Sequence, residues 1–129
     1  MLKLLDVHHI AVIASNYERS KAFYCGVLGF TLNNEIYREA RQSWKGDLSL
    51  NGRYTIELFS FPHPPARVSR PEADGLRHLA FAVANIEQAI ASLEQAGVIC
   101  EPVRIDPETQ QRFTFFSDPD GLPLELYEI

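Results

Sequence analysis

The 129-residue sequence has no long apolar run and carries little positive charge. No stretch reaches the roughly 18 consecutive apolar residues typical of a membrane-spanning helix. The N-terminal segment has Asp6, His8 and His9 within its apolar stretch and lacks the clean apolar region and cleavage site of a signal peptide. Lys and Arg number 12 against 17 Asp and Glu, and no basic stripe favours nucleic acid. These absences predict a cytoplasmic protein without membrane or nucleic-acid partners.

Cysteine is also scarce. Cys25 and Cys100 are the only two, and they form no spaced motif. The sequence does not exclude a disulfide between them, but the chain looks cytosolic, and thiols stay reduced in the cytosol. Two buried or half-buried thiols are therefore the expected state. The length matches one ordinary domain with a real core, and the 46% hydrophobic content is typical of a globular protein.

Two pairs of segments repeat along the chain in the same order. The run His9–Asn16 resembles His78–Asn85, each reading His, apolar, Ala and then mostly apolar residues up to Asn. The run Tyr54–Phe59 likewise resembles Leu122–Tyr127, each ending apolar-Glu-Leu-aromatic. The offset is 69 residues for the histidines (78 − 9) and 68 for the glutamates (125 − 57). An internal duplication explains this agreement better than chance.

Each copy predicts the element order β-α-β-β-β. Asn16 and Asn85 stand where helix N-caps belong, and Gly29 and Gly97 end the helical stretches. The strand-like runs after the helices are Thr31–Ala40, Ser43–Leu50 and Tyr54–Phe61, then Val98–Ile105, Arg112–Ser117 and Pro123–Glu128. We therefore predict an α+β fold of two tandem βαβββ modules in one domain: module one about 5–61, a Pro-rich linker 62–75, and module two about 76–129.

Strand alternation places one His and one Glu of each module on the face away from the helix: His9 and Glu57, then His78 and Glu125. A buried carboxylate costs several kcal/mol unless it is paired or bound to a cation. Two imidazoles and two carboxylates balance a divalent charge, and this N2O2 set suits Zn, Ni, Co, Fe or Mn better than Ca. The sequence predicts one divalent metal held by these four residues.

The remaining histidines receive ordinary interpretations. A lone His in a strand is usually a core or surface residue, and a lone Glu at a strand end is usually solvated. Only the duplication reverses this expectation for the four predicted ligands. His8 has no counterpart, since Arg77 occupies the equivalent position, and is expected on the opposite face from His9. His63 lies among prolines and is expected at the surface.

The duplicated modules, with the opening HHIAVIASNYERSKAFYCGVLGF, the later HLAFAV and the closing DPDGLPLELYE, resemble the vicinal oxygen chelate (VOC) superfamily. That superfamily includes glyoxalase I, extradiol dioxygenases, fosfomycin-resistance enzymes and bleomycin-binding proteins. The likeness covers nearly the whole chain and is closest to small bacterial glyoxalase-I-like metalloproteins. It implies sheets that curve into a cleft with helices outside and the metal at its base, and a homodimer. Whether the metal site lies within one chain or is shared between two stays open.

The resemblance also assigns roles to the four residues. His9 and His78 match the first-strand ligands, and Glu57 and Glu125 match the last-strand ligands. Extradiol dioxygenases have no ligand at the position of Glu57 and bleomycin-binding members generally lack the ligands, so the full set favours glyoxalase I. The implied activity is that of a metal-dependent lyase or isomerase. Its substrate is a small molecule with vicinal oxygens, such as the hemithioacetal of a 2-oxoaldehyde and a thiol, with Glu125 as base and Glu57 as its partner.

Two alternatives remain: an Fe(II) extradiol-type dioxygenase, and a non-catalytic small-molecule binding or resistance protein. The likeness to glyoxalase I does not extend to glutathione recognition, because Ile13 stands where that enzyme commonly has an Arg. Cations that could replace that Arg, although strand cations are more often solvated, are Arg38, Arg41, Lys45 and Arg112. Aromatic side chains that could line a cleft are Trp44, Phe59, Phe116 and Tyr127, while alternation assigns Phe113 and Phe115 to the core.

Overall fold

The chain folds into two compact units of similar architecture. The computed structural model describes residues 1–129, and the units are Met1–Pro65 and Ala66–Ile129. The boundary between them falls inside the stretch 62–75 predicted as a linker. None of the helices has the length and apolar character needed to cross a membrane.

The first unit is a four-stranded mixed sheet with one helix. Its elements are β1 (Ile10–Ala14), α1 (Tyr17–Ala22), a π-helical turn (Phe23–Val27), β2 (Thr31–Arg38), a 3-10 turn (Glu39–Arg41), β3 (Ser43–Leu50) and β4 (Arg53–Ser60). The strand order is β1-β4-β3-β2, with β1 parallel to β4 and the other pairs antiparallel.

The second unit repeats this arrangement. Its elements are β5 (Leu79–Val83), α2 (Ile86–Gln95), β6 (Arg104–Ile105), β7 (Arg112–Ser117) and β8 (Pro123–Glu128). The strand order β5-β8-β7-β6 is that of the first unit, again with one parallel pair, β5 and β8. The predicted α+β class and the two βαβββ modules are confirmed.

Both helices begin and end with the same chemistry. The side-chain oxygens of Asn16 and Asn85 accept hydrogen bonds from the third residue of each helix at 3.0 Å, which satisfies an otherwise unpaired amide. Gly29 and Gly97 then adopt φ values of 84° and 82°, the left-handed conformation that glycine tolerates best. The predicted helix starts and stops are therefore confirmed, and they orient each helix across its sheet.

In each unit the helix covers the face of the sheet opposite to the predicted ligands. Val12, Ile56 and Leu58 are buried under α1, whereas Ile13 is exposed on the other face. In the second unit Leu124 and Leu126 of β8 are buried, together with Ile86 and Leu93 of α2. Burying one apolar face of each sheet supplies the main driving force for folding. The opposite face is left for chemistry.

One predicted strand is wrong over most of its length. Only Arg104 and Ile105 of the run Val98–Ile105 pair as strand β6. Pro102 has no N–H to donate to a neighbouring strand, and the apolar Ile99 and Val103 are exposed instead of packed. The run contacts β7 earlier through a single backbone bond, from Glu101 N to Phe115 O. The apolar composition of this segment predicts a buried strand, but its apolar side chains have no buried face of the sheet to pack against.

Gly46 in β3 provides a test of how α1 packs on the sheet. A Cβ at this position would lie 2.4 Å from the Tyr17 hydroxyl, which itself donates to Glu35 at 2.7 Å. We expect Gly46→Ala to lower the free energy of unfolding by about 1–3 kcal/mol, measured by urea denaturation, because the buried Tyr17 must move.

Two further variants make this prediction specific. Gly26→Ala has no atom within 4 Å of the new Cβ and should cost nothing. Adding Tyr17→Phe to Gly46→Ala removes the clashing oxygen and should recover part of the loss. Equal stability of Gly46→Ala and the wild type would contradict the packing described.

Candidate metal centre

Each unit holds one predicted His–Glu pair with the same geometry. His9 Nε2 lies 3.8 Å from Glu57 Oε1, and His78 Nε2 lies 3.8 Å from Glu125 Oε1. The carboxylates are mostly buried, with 17% and 13% of their side chains exposed, while the imidazoles are more open. The sequence prediction that each His shares a face with its Glu is confirmed within each unit.

The parallel strand pairs create this geometry. Ala11 pairs with Glu57 in the β1–β4 ladder, and Ala80 pairs with Glu125 in the β5–β8 ladder. Residues that pair across a ladder point to the same face, and His9 and His78 each lie two positions before the paired Ala. Each His stands directly before its strand, β1 or β5, and the register of that strand against β4 or β8 brings it beside its Glu.

His8 contacts its neighbour more closely than the sequence indicated. Strand β1 begins at Ile10, so strict alternation does not extend back to His8 and His9. The two Nδ1 atoms lie 2.8 Å apart, and the rings meet edge to face. A hydrogen bond between the Nδ1 atoms fixes the orientation of the His9 ring and leaves Nε2 directed at Glu57. The prediction that His8 lies on the opposite face is wrong.

Glu57 lies in a polar network. The Tyr54 hydroxyl lies 2.9 Å from Glu57 Oε2 and 3.2 Å from Asp47 Oδ1, and Lys45 Nζ lies 3.5 Å from the same Glu57 oxygen. Burial, together with hydrogen bonding to Glu57, raises the pKa of Tyr54, so its hydroxyl stays protonated and can donate. The Tyr54 ring also stacks on His9. Both members of the first pair are thus held by Tyr54.

Glu125 lies among aromatic side chains instead. Phe115 pairs with Glu125 across the β7–β8 ladder, and its ring meets His78 edge to face at 5.0 Å. Phe113 stacks on Tyr127 on the same face, whereas Phe116 is buried in the core. The sequence-based assignment of these three Phe residues is therefore reversed. The internal repeat could have predicted the correct face of Phe115. An offset of 68 residues makes Phe115 equivalent to Asp47, which pairs with Glu57.

The cations suggested from the sequence make contacts within the first unit or the second. Lys45 Nζ lies 2.8 Å from Asp47, and Arg38 and Arg41 lie over the rings of Phe59 and Phe61. Arg112 forms a two-pronged ion pair with Glu128, with both N···O distances 2.9 Å, and also donates to Glu87. Arg112 and Lys45 are therefore occupied by carboxylates of their own units.

The donor atoms suit a divalent metal. Two ligands about 2.1 Å from one ion lie roughly 3 to 3.5 Å apart in octahedral or tetrahedral geometry, close to the 3.8 Å found in both pairs. Each 3.8 Å contact is too long for a hydrogen bond, so these His and Glu atoms do not satisfy one another. The structure contains no group of three or more His, Cys, Asp or Glu that could hold a metal. Each unit brings together two candidate ligands, one His and one Glu.

Both cysteines are free thiols, as the sequence favoured. Burial raises the pKa of Cys25 and of Cys100, which keeps both protonated near neutral pH. Neither cysteine belongs to a group of three or more His, Cys, Asp or Glu that could hold a metal, and the candidate set remains two imidazoles and two carboxylates.

Comparison with known proteins agrees with the duplicated fold. The family model described as Glyoxalase/Bleomycin resistance protein/Dioxygenase superfamily matches residues 6–126. The chain belongs to this superfamily, which confirms the vicinal oxygen chelate resemblance. Members commonly bind a divalent metal ion.

Individual relatives cover the whole chain without defining an activity. The chain is 70% identical over 128 residues to the uncharacterised protein YaeR of Escherichia coli (strain K12), covering 99% of each. The crystal structure of a glyoxalase family protein from Enterococcus faecalis is 48% identical with a TM-score of 0.89, covering 95% of this chain and 97% of that one. A glyoxalase I mutant from Zea mays is 15% identical with a TM-score of 0.80, covering 95% and 44%, and shares the fold alone.

The Arg112–Glu128 pair predicts a pH-dependent stability. Hydrogen bonds from Arg112, and then from the Ile86 amide, hold the pKa of Glu128 below its usual 4.5. A lowered carboxylate pKa adds stability above the unfolded pKa, and this contribution disappears as the pH falls through the folded pKa. We expect Arg112→Gln to be less stable than wild type at pH 7 in urea denaturation, with the difference shrinking below pH 4.5.

Arg53→Gln is the matched control, because Arg53 pairs with the exposed Asp6 and exposed ion pairs contribute little. Its stability should follow the wild type at both pH values. A loss for Arg112→Gln that stays constant from pH 7 to pH 3 would contradict a role through Glu128.

Proposed function

We propose that His9, Glu57, His78 and Glu125 are the ligands of one divalent metal ion, and that the protein is a lyase or isomerase of the glyoxalase I type. The observation that carries this proposal is the identical His–Glu geometry in the two units, 3.8 Å in each. Each pair supplies half of a four-ligand set whose combined charge neutralises a dication. Ni, Zn, Co, Fe and Mn suit these donors.

The different surroundings of the two carboxylates support different roles for them. Tyr54 and Lys45 hold Glu57 from two directions, which suits a fixed ligand. Glu125 faces the apolar ring of Phe115 and contacts His78, with no corresponding hydroxyl or ammonium group, since Leu122 and Phe113 occupy the equivalent positions. A carboxylate without such anchors can move towards a substrate. We therefore assign Glu125 as the base.

The reaction uses proton transfer between adjacent carbons of a small substrate. When bound, the metal supplies Lewis-acid polarisation of the vicinal oxygens of the substrate. Glu125 removes the proton from one carbon and returns the same proton to the neighbouring carbon, so the step is an isomerisation without an oxidant. Glu57 keeps its position through Tyr54, and the surrounding rings of Phe113, Phe115 and Tyr127 limit access of water to Glu125.

Two other functions belong to the same superfamily, whose description also names bleomycin resistance proteins and dioxygenases. A dioxygenase of the extradiol type needs open positions on Fe(II), which a four-residue ligand set reduces. A binding protein needs no proton-transfer base, so the unanchored Glu125 would have no purpose there. The homodimer expected from the resemblance fits all three and does not separate them.

Metal analysis provides the most direct test of the ligand set. Protein purified without chelators should contain one divalent ion for each set of four ligands, measured by elemental mass spectrometry. His78→Ala or Glu125→Ala should strip the ion, since the loss of one of four ligands weakens binding by orders of magnitude. His63→Ala removes an exposed imidazole outside the set and should retain it. Stoichiometric metal in either ligand variant refutes the ligand set.

Steady-state assays test the reaction. Methylglyoxal with glutathione or another thiol, in the presence of Ni, Co or Zn, should be turned over, and Glu125→Gln should lower kcat by about 10²–10⁴-fold because the base is lost. Glu94→Gln neutralises an exposed carboxylate of α2 and should not change kcat. Absence of turnover with every metal and thiol would sink the lyase proposal. Oxygen uptake with a catechol and Fe(II) would identify a dioxygenase, and unchanged tightly bound ligand would identify a binding protein.

A further inference from the structure

The second unit contains a cavity of about 520 Å³ next to one of the proposed ligands. His78 and Phe115 contribute to its wall. We call it the arginine cavity because four arginines line it: Arg67, Arg70, Arg77 and Arg104. Its volume lies within the roughly 300–1,000 Å³ typical of small-molecule sites. A small molecule in the cavity would therefore contact His78 of the second His–Glu pair.

The charge of this cavity opposes that of the chain. Four of the 12 Lys and Arg residues line it against two carboxylates, Glu72 and Glu101, while the chain as a whole carries a net charge of −5. One third of the positive side chains are thus gathered at one cavity of an acidic protein. The excess of two positive charges there favours an anionic occupant.

One of the four arginines holds the wall of the cavity through hydrogen bonds to the backbone. The other three line the cavity with N–H groups that make no short hydrogen bond. Arg67 donates to the carbonyl oxygens of Leu76 and Arg77 at 2.6 and 2.9 Å, which holds segment 66–77 in place. Arg77 and Arg104 approach Glu72 and Glu101 only to 3.6 and 3.5 Å, at the edge of or beyond hydrogen-bonding distance. Arg70 lines the cavity without a hydrogen bond or ion pair to another side chain. Three guanidinium groups therefore retain N–H donors for a ligand.

Arg104 is also positioned by aromatic contacts. Its guanidinium carbon lies 5.0 Å from the centre of the Phe113 ring and 5.5 Å from that of Phe115. Stacking on a ring occupies the face of the guanidinium and leaves its N–H edge free to bind an oxyanion in two places. Since the Phe115 ring also contacts His78, Arg104 connects the arginine cavity with the second His–Glu pair.

We infer that the arginine cavity binds a carboxylate or phosphate group of the substrate. The substrate class is a small organic anion, with its oxyanion held by Arg70, Arg77 and Arg104 while its vicinal oxygens lie at His78 and Glu125. The placement of the vicinal oxygens at His78 and Glu125 rests on the proposed function, whereas the binding of the oxyanion by the arginines does not. The cavity can bind an oxyanion whether or not a metal is present, so the two ideas are separable by experiment.

Calorimetric titration of the full chain with inorganic phosphate and, separately, malonate tests the inference at constant ionic strength. Both chelator-treated and Ni-loaded protein are used, because only the chelator-treated protein reports the arginines without any contribution from the metal. Wild type should bind at least one of the two anions. The double substitution Arg77→Gln with Arg104→Gln should weaken binding about tenfold or more in both forms, since each charge-assisted hydrogen bond contributes on that scale.

Arg70→Gln leaves the stacking of Arg104 intact and should weaken binding by several-fold, which keeps the test informative if the double variant does not fold. Arg19→Gln removes the same charge from α1 in the other unit and should bind as wild type. Tighter binding of phosphate or of malonate identifies the group that the substrate carries.

The outcomes separate this inference from the proposed function. Metal binding by the four ligands without binding of either anion overturns the arginine cavity alone. Anion binding that depends on Arg70, Arg77 and Arg104, in a protein that takes up no divalent metal when the metal is supplied, overturns the metal centre alone. If Arg19→Gln weakens anion binding as much as the arginine-cavity variants do, the binding depends only on the overall charge of the protein. This result also overturns the inference.

Discussion

The parallel pairing of the first and last strands in each unit determines the rest of the candidate centre. Side chains alternate along a strand, so a slip of one residue in the β1–β4 or β5–β8 ladder would turn Glu57 or Glu125 into the apolar core. The buried residues on the helix side, Ile56 and Leu58 in one unit and Leu124 and Leu126 in the other, oppose such a slip. The hydrophobic core on the helix side of each sheet therefore maintains the placement of the carboxylates on the opposite face.

The two units preserve this register and differ in what surrounds it. A Tyr hydroxyl, an ammonium group and a second carboxylate surround Glu57, whereas aromatic rings surround Glu125. The same strand geometry thus places one carboxylate in a hydrogen-bonded environment and the other in an apolar one. Differences of this kind assign distinct tasks to chemically identical groups. The duplicated backbone provides the positions, and the neighbouring side chains provide the distinction.

Sequence reasoning succeeded where local chemistry decides the structure. The Asn caps, the Gly helix ends and the alternation around Glu57 and Glu125 each depend on a few consecutive residues. It failed where the outcome depends on partners distant in sequence. The face of Phe115 depends on the β7–β8 register, and the extent of β6 depends on whether a neighbouring strand accepts a Pro-containing segment.

The arginine cavity illustrates the same limit. Three of its arginines come from segment 66–77, which has no periodicity, and Arg104 comes from a strand more than 25 residues further on (104 − 77). Nothing in the sequence indicates that these guanidinium groups share one wall with His78. Their grouping follows from the path of the segment, which Arg67 holds by bonding to two backbone carbonyl groups.

The equality of the two His–Glu pairs has a consequence for the history of the chain. A single ancestral βαβββ module carries one imidazole and one carboxylate, and two copies of that module together carry the whole proposed ligand set. Fusion of two copies into one gene leaves the inventory of donor atoms unchanged while freeing each copy to mutate separately. Tyr54 and Lys45 in one copy, and Phe113 and Phe115 in the other, are differences that two identical modules encoded by one gene could not show.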